Sequence, residues 1–179
     1  MTLKERYQQE IVPQLMRDLG VTNPMAVPRL QKIVVNVGIG AAQSDPKLAE
    51  AVERTLTRIT GQRPVRTLAR KSIASFKIRQ GMPIGMMATL RGKRMWDFFE
   101  KLIRVSLPRV RDFRGVTPTA VDGQGNCSIG FREHVVFPEI KTDEVEKVHG
   151  MQVTVVSTAR NRAAGVALFT ALGIPFRAK

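Results

Sequence analysis

The stretch RTLTRITGQRPVRTLARKSIASFKIRQGMPIGMMATLRGKR, Arg54 to Arg94, contains eleven Lys and Arg and no Asp or Glu. The basic residues are Arg54, Arg58, Arg63, Arg66, Arg70, Lys71, Lys77, Arg79, Arg91, Lys93 and Arg94. The 179-residue chain has 29 basic and 15 acidic residues, so this segment supplies eleven of its net fourteen positive charges. Gly61, Pro64, Gly81, Pro83, Gly85 and Gly92 interrupt it, which rules out one continuous helix. It reads instead as a helix end, a short strand over 64–68, an exposed loop over 69–84 and a strand over 85–91, leading into a further helix. A charge gathered in one place points to one polyanionic partner docked there, and nucleic acid is the first candidate. An anionic membrane surface would call for a helix with a basic face and a bulky apolar face, a form this stretch lacks.

Upstream, Gln31 to Ile39 alternates, with Ile33, Val35, Val37 and Ile39 on one face and Lys32, Val34, Asn36 and Gly38 on the other. This predicts a strand with one buried face and one too polar for core. Asn36 on the open face is either a donor and acceptor for a base or ribose, or an ordinary solvated side chain. In the strand over 85–91, Met86, Ala88 and Leu90 oppose Met87, Thr89 and Arg91, so Thr89 and Arg91 are expected on the polar face with Asn36. Between the two strands lies a helix capped by Ser44 or Asp45, with Pro46 at its first position, an apolar row at Leu48, Val52, Leu56 and Ile59, and Gly61 as its stop. Residues 69–84 have weak periodicity and four cations, and exposed loops of that length are usually functional or disordered.

The N-terminus begins with the capping box Thr2 to Glu5 and an apolar row at Leu3, Tyr7, Ile11, Leu15 and Leu19, predicting a helix that Pro13 kinks or divides. After Arg94, the row Met95, Phe98, Phe99, Leu102, Ile103 and Val105 predicts a core helix ended by Pro108, with Trp96 as packing. Asn126 to Arg132 and Gln152 to Ser157 read as strands, Thr142 to Val148 as a short acidic helix, and Asn161 to Leu172 as the last helix. RDFRG, Arg111 to Gly115, is a surface contact or a solvated turn. This mixed order predicts an α+β chain, a single domain over 1–179, with a mainly antiparallel sheet, helices packed on one face and a long basic loop at 72–84.

Other chemistry is excluded or weak. One cysteine, Cys127, and two histidines, His134 and His149, make no metal cluster; Cys127 reads as a small buried hydrophobe and His134 as a structural hydrogen-bonding residue. Gly38 and Gly40 stand where a dinucleotide turn would begin, but Gln43 takes the third glycine's place. No cofactor is expected, and no nucleophile, base and orienting acid can be assembled. No apolar run is long enough to span a membrane, and MTLKERYQQE lacks a signal-peptide core, so a cytoplasmic location is expected. With 6% aromatic residues and no aromatic sheet-surface RNA motif, binding rests on Arg and Lys to phosphates and on small polar groups. That suits a folded RNA read by shape. A free-standing RNA chaperone and a nucleotide-binding enzyme are the alternative readings.

The blocks KIVVNVGIG (32–40), LTRITGQRPVRTLARKS (56–72), PRVRDFRG (108–115) and GFREHVVFPEI with GMQVTVVSTA and GVALFTALGIPF resemble, in order and over almost the whole chain, the bacterial large-subunit ribosomal protein L-five family, which binds 5S rRNA. Gln152 departs from the acid expected after Gly150-Met151. The resemblance implies attachment of 5S rRNA in the central protuberance beside 23S rRNA, a loop approaching the transfer RNA in the peptidyl site, and contact with a small-subunit protein in an intersubunit bridge through 109–115 or the 140s. It implies rRNA-facing roles for Asn36, Gln62, Arg66, Thr67, Ser72 and Thr89, and the cations Arg63, Arg70, Lys71 and Arg91 of the basic stretch are expected at the same rRNA-binding surface. Phe76, Lys77, Arg79, Gln80, Gly81 and Met82 fall in the tRNA-facing loop.

Overall fold

The computed structural model describes residues 1–40, 46–141 and 148–177. The sequence-predicted cap at Ser44 or Asp45, the turn position Gln43 and most of the acidic helix expected at Thr142 to Val148 lie outside these. Over the described residues the fold is α+β, with a five-stranded antiparallel sheet and four helices. The strands are β1 (Leu30–Gly38), β2 (Val65–Leu68), β3 (Pro83–Leu90), β4 (Cys127–Phe131) and β5 (Met151–Ser157), in the spatial order β2-β3-β1-β5-β4.

Helix α1 runs continuously over 3–19. It starts on the Thr2 to Glu5 capping box, in which the Glu5 backbone N–H donates to Thr2 Oγ1 and the Thr2 backbone N–H donates to Glu5 Oε2. Pro13 does not break it. A π turn at Tyr7–Ile11, where the Val12 N–H reaches back to the Tyr7 carbonyl, precedes the proline, and the helix resumes as Val12–Leu19. Proline lacks an N–H and its ring crowds the carbonyl four residues back; a one-residue widening relieves both. The same device recurs in helix α3, Gly92–Lys101, where a π turn at Leu102–Ser106 and a tight turn at Leu107–Arg109 accommodate Pro108. Gly20 (φ 63°) closes α1. The remaining helices are α2 (Pro46–Thr60) and α4 (Arg162–Ala171).

Backbone contacts divide the chain into two compact units. The first comprises residues 1–33, 91–129 and 154–179. Its core holds Leu3, Tyr7, Ile11 and Leu15 of α1, Met95, Phe98, Phe99 and Leu102 of α3 and its π turn, and Leu168 and Phe169 of α4. Val105, expected in the apolar row, is instead exposed, because the extra residue in the π turn rotates it away. Trp96 is half-buried against Tyr7, with ring centroids 5.4 Å apart. The α4 backbone approaches the turn before β4 so closely that a Cβ at Gly165 would lie 2.6 Å from the Gly125 Cα.

The second unit comprises residues 34–90 and 130–153. Val35, Val37, Val52, Leu56, Ile59, Met86, Ala88 and Leu90 are buried in it, so the inward rows read from the alternation of β1 and β3 are the observed ones. Thr89 and Asn36 are half-exposed, as the opposite row requires. Arg91 is a correction to that row: it has left the strand and stands in extended backbone as the N-cap of α3.

His134 and His149 form a second feature of this unit. Their rings stack with centroids 4.0 Å apart, and the His149 N–H donates to His134 Nδ1 at 3.3 Å. Burial pushes both imidazoles below their ordinary value near 6.5, His149 to about 4, with the neighbouring His134 adding to the burial effect there. A folded-state pKa below the unfolded one means that the unfolded chain binds the extra proton, so this stability is full above about pH 6.5 and is lost as pH falls toward 4. We expect the urea midpoint to correspond to about 1 kcal/mol less stability at pH 5 than at pH 7, and His149→Phe to flatten that slope. Equal slopes in the two proteins would contradict the assignment.

Candidate nucleic-acid interface

The basic stretch folds as the C-terminal end of α2, then β2, an extended tip and β3. The cross-strand register pairs Val65 with Met87, Arg66 with Met86, Thr67 with Gly85 and Leu68 with Pro83, with a shift between Thr67 and Leu68. As the outermost strand, β2 exposes both of its faces; Val65 and Leu68 are open to solvent beside Arg66. Gly85 leaves little space for a side chain. A Cβ there would meet Thr67 Oγ1 at 2.6 Å and the Val37 carbonyl at 3.2 Å, so the bare backbone lets Thr67 lie across β3 near Asn36.

Residues 69–82 form the tip, and strand β3 begins at Pro83, earlier than the sequence-predicted loop end at 84. The tip is a hydrogen-bonded double loop. Ala69 N–H donates to the Met82 carbonyl and Gly81 N–H to the Ala69 carbonyl, closing its base. Further out, Ile73 and Ile78 exchange two backbone hydrogen bonds of 2.9 and 3.1 Å around a turn at Ala74–Phe76. Lys77 completes that turn at φ 54°, and Ser72 Oγ accepts the Gln80 N–H at 2.9 Å. Arg79 N–H donates to Met82 Sδ. The outward side chains include Phe76, 67% exposed, together with Ile73, Lys77, Arg79 and Gln80.

The sequence-predicted residues therefore fall into three groups. Arg63 and Arg66 converge on one carboxylate: Arg63 Nε lies 2.9 Å from Glu53 Oε1, and the Arg66 guanidinium 3.0 Å from Glu53 Oε2. The hydrogen bonds from Arg66 and then Arg63 hold the Glu53 carboxyl below its ordinary range. Glu53 thus joins the candidate interface through these two arginines, and charge counting passed it over because it sits one position outside the acid-free run. Both guanidinium groups stay largely open to solvent, with the Arg63 and Arg66 side chains 82% and 55% exposed, so the pairing brings them together without burying them. Gln62 is half-buried and donates from Nε2 to the Thr89 carbonyl at 3.3 Å, tying α2 to β3. Asn36, Thr67 and Thr89 form a second group of half-exposed polar side chains on β1, β2 and β3. The third group, Arg70, Lys71, Ser72 and the tip residues Lys77, Arg79 and Gln80, is exposed; its cations form no ion pair with a described carboxylate. Arg54, Arg58 and Arg63 also line a cleft with Glu50, Glu53 and Thr57.

Among the described residues no group of three His, Cys, Asp or Glu is placed to hold a metal ion. Cys127 is fully buried, and burial pushes its thiol up to about 12, so it is an inert core residue. An α+β chain with a guanidinium pair set by one carboxylate, a polar sheet row and a cationic hairpin tip belongs to the class of binding proteins for a structured polyanion.

Comparison with known proteins agrees. A family model described as ribosomal protein L5 matches residues 23–79, and a second, described as the C-terminus of that ribosomal family, matches residues 83–176. The large ribosomal subunit protein uL5 of Anaeromyxobacter sp. (strain Fw109-5) is 57% identical over 175 residues, covering 98% of this chain and 97% of that protein. Those of Halothermothrix orenii and Desulfatibacillum aliphaticivorans are 53% and 51% identical, again over 97% and 98% of both chains. The chain belongs to the ribosomal protein L5 family. Membership makes it a structural, RNA-binding protein of the cytoplasmic ribosome and not an enzyme, which sets aside the nucleotide-binding reading of Gly38 and Gly40. No helix among the described residues is long and apolar enough to cross a membrane.

Proposed function

We propose that this chain is the large-subunit protein that binds 5S rRNA and helps attach it in the central protuberance beside 23S rRNA. The exposed tip contacts transfer RNA in the peptidyl site, and a separate surface, at 109–115 or in the 140s, meets a small-subunit protein in an intersubunit bridge. The observation that carries the rRNA reading is the Glu53 clasp. It gathers Arg63 and Arg66 at the outer edge of the sheet, where Arg66 shares the Met86 face and Asn36, Thr67 and Thr89 stand on the opposite, open face, with Arg70, Lys71 and Ser72 continuing from the same hairpin. Phosphates take the guanidinium and ammonium groups, while the small polar side chains suit 2′-hydroxyls and base edges. The tip residues Phe76, Lys77, Arg79, Gln80, Gly81 and Met82 offer an exposed ring and two cations held on a closed backbone, which suits a second RNA surface.

This division of labour is testable by titrating labelled 5S rRNA. Arg66→Ala weakens binding about tenfold, corresponding to loss of one charge-assisted contact, whereas Arg79→Ala leaves it within about twofold. Equal losses from both substitutions would merge the two surfaces into one and overturn the reading.

A further inference from the structure

The first unit contains a groove of about 480 Å³ for which the RNA reading has no use. Its lining includes Tyr7 and Val12 on the widened turn of α1, Trp96 on α3, Met25 on the connection to β1, and the cations Lys4 and Arg29. The site is rigid at its base. Tyr7 is buried, donates its hydroxyl hydrogen to the Pro28 carbonyl at 2.8 Å, and holds Trp96 at 5.4 Å and 40°. Met25 is 83% exposed, an extreme value for a large thioether side chain with an apolar wall beside it. Lys4 and Arg29 are exposed and form no ion pair with a described residue, and no carboxylate lines the groove.

We infer that this groove is a docking site for a protein segment bearing a bulky apolar anchor flanked by carboxylates. Trp, Tyr, Met and Arg are the residue types enriched at the centres of protein interfaces, and a pre-set pocket of this volume accepts one or two large side chains. The two unpaired cations on an acid-free rim supply the charge complementarity. An unstacked nucleotide fits less well. The Tyr7 ring is buried and tilted against Trp96 rather than open for stacking, and two cations are few for tracking a phosphate backbone.

The inference does not depend on the rRNA assignment, and its test uses the isolated full-length protein. Trp96 is the chain's single tryptophan, so its fluorescence reports on the groove alone. The probes are an acetylated octapeptide with Leu-Phe at its centre and three Asp or Glu on each side, the same peptide with Lys at those six positions, and an octauridylate. The acidic peptide should shift Trp96 emission in a saturable way. Both Arg29→Glu and Met25→Asp, changes at exposed positions, should weaken that binding about tenfold or more while leaving the melting temperature unchanged. Equal binding of the lysine peptide, stronger quenching by the oligonucleotide, or no shift at millimolar acidic peptide would each overturn it.

Discussion

Gly165→Ala should lower the melting temperature by about 4–8 °C. The added Cβ would lie 2.6 Å from the Gly125 Cα and 2.8 Å from its carbonyl oxygen, contacts with backbone that no side-chain rotation relieves. Overpacking of this kind destabilises by about 3 kcal/mol when neither side can yield. Replacing glycine inside helix α4 returns about 1 kcal/mol of helix propensity. The clash wins by about 2 kcal/mol, and in a chain of this length each kcal/mol moves the midpoint about 2–4 °C. Gly125 has no room to retreat: it holds φ 79°, and its carbonyl accepts the Ser157 hydroxyl at 2.6 Å. Gly130→Ala is the control, since that exposed residue in β4 has nothing within 4 Å of an added Cβ. Calorimetry of the three proteins decides it, and a Gly165→Ala midpoint equal to that of the control would contradict the close approach.

The double substitution Arg70→Glu, Lys71→Glu should reduce affinity for 5S rRNA roughly 10–100-fold at 0.1 M salt and lower the slope of log affinity against log salt by about 1.5. Both side chains are exposed, and neither is paired with a described carboxylate, so the unfolding midpoint should stay within about 0.5 kcal/mol of the parent. Filter binding across 50–300 mM salt reads both quantities. An unchanged slope would remove these two cations from the phosphate contacts and leave the Glu53 pair to carry them.

Much of this architecture is legible in the residues themselves because it rests on periodicity. The inward rows of β1 and β3 follow from strict alternation, and the apolar row of α1 follows from four-residue spacing. What escaped depended on distances between elements or on backbone bonding that side-chain patterns do not encode. Pro13 announces a disturbance in α1, but only the carbonyl geometry decides between a kink and a π turn. The same effect at Pro108 moved Val105 out of the core. The tip over 69–82 looks formless in sequence because its order comes from main-chain pairs such as Ile73 with Ile78. Arg91 alternates correctly with Thr89 but serves the next helix instead.

The candidate interface divides in the same way. A count of charges locates the cationic hairpin, yet it treats Arg63 and Arg66 as free, because Glu53 belongs to a helix ten and thirteen residues earlier. Gln62 is likewise partly spent on the Thr89 carbonyl. The groove beside Tyr7 and Trp96 joins positions almost ninety residues apart, and periodicity alone can do no more than call both residues packing.

The most direct test of the central claim is a titration of nuclease-treated protein against labelled 5S rRNA, with excess unrelated RNA as competitor, repeated across salt. Binding that survives the competitor and moderate salt, with a slope reflecting only a handful of phosphate contacts at about −0.7 to −0.9 each, is the predicted result for a shape-specific rRNA ligand. Affinity that collapses equally for every RNA as salt rises would contradict it.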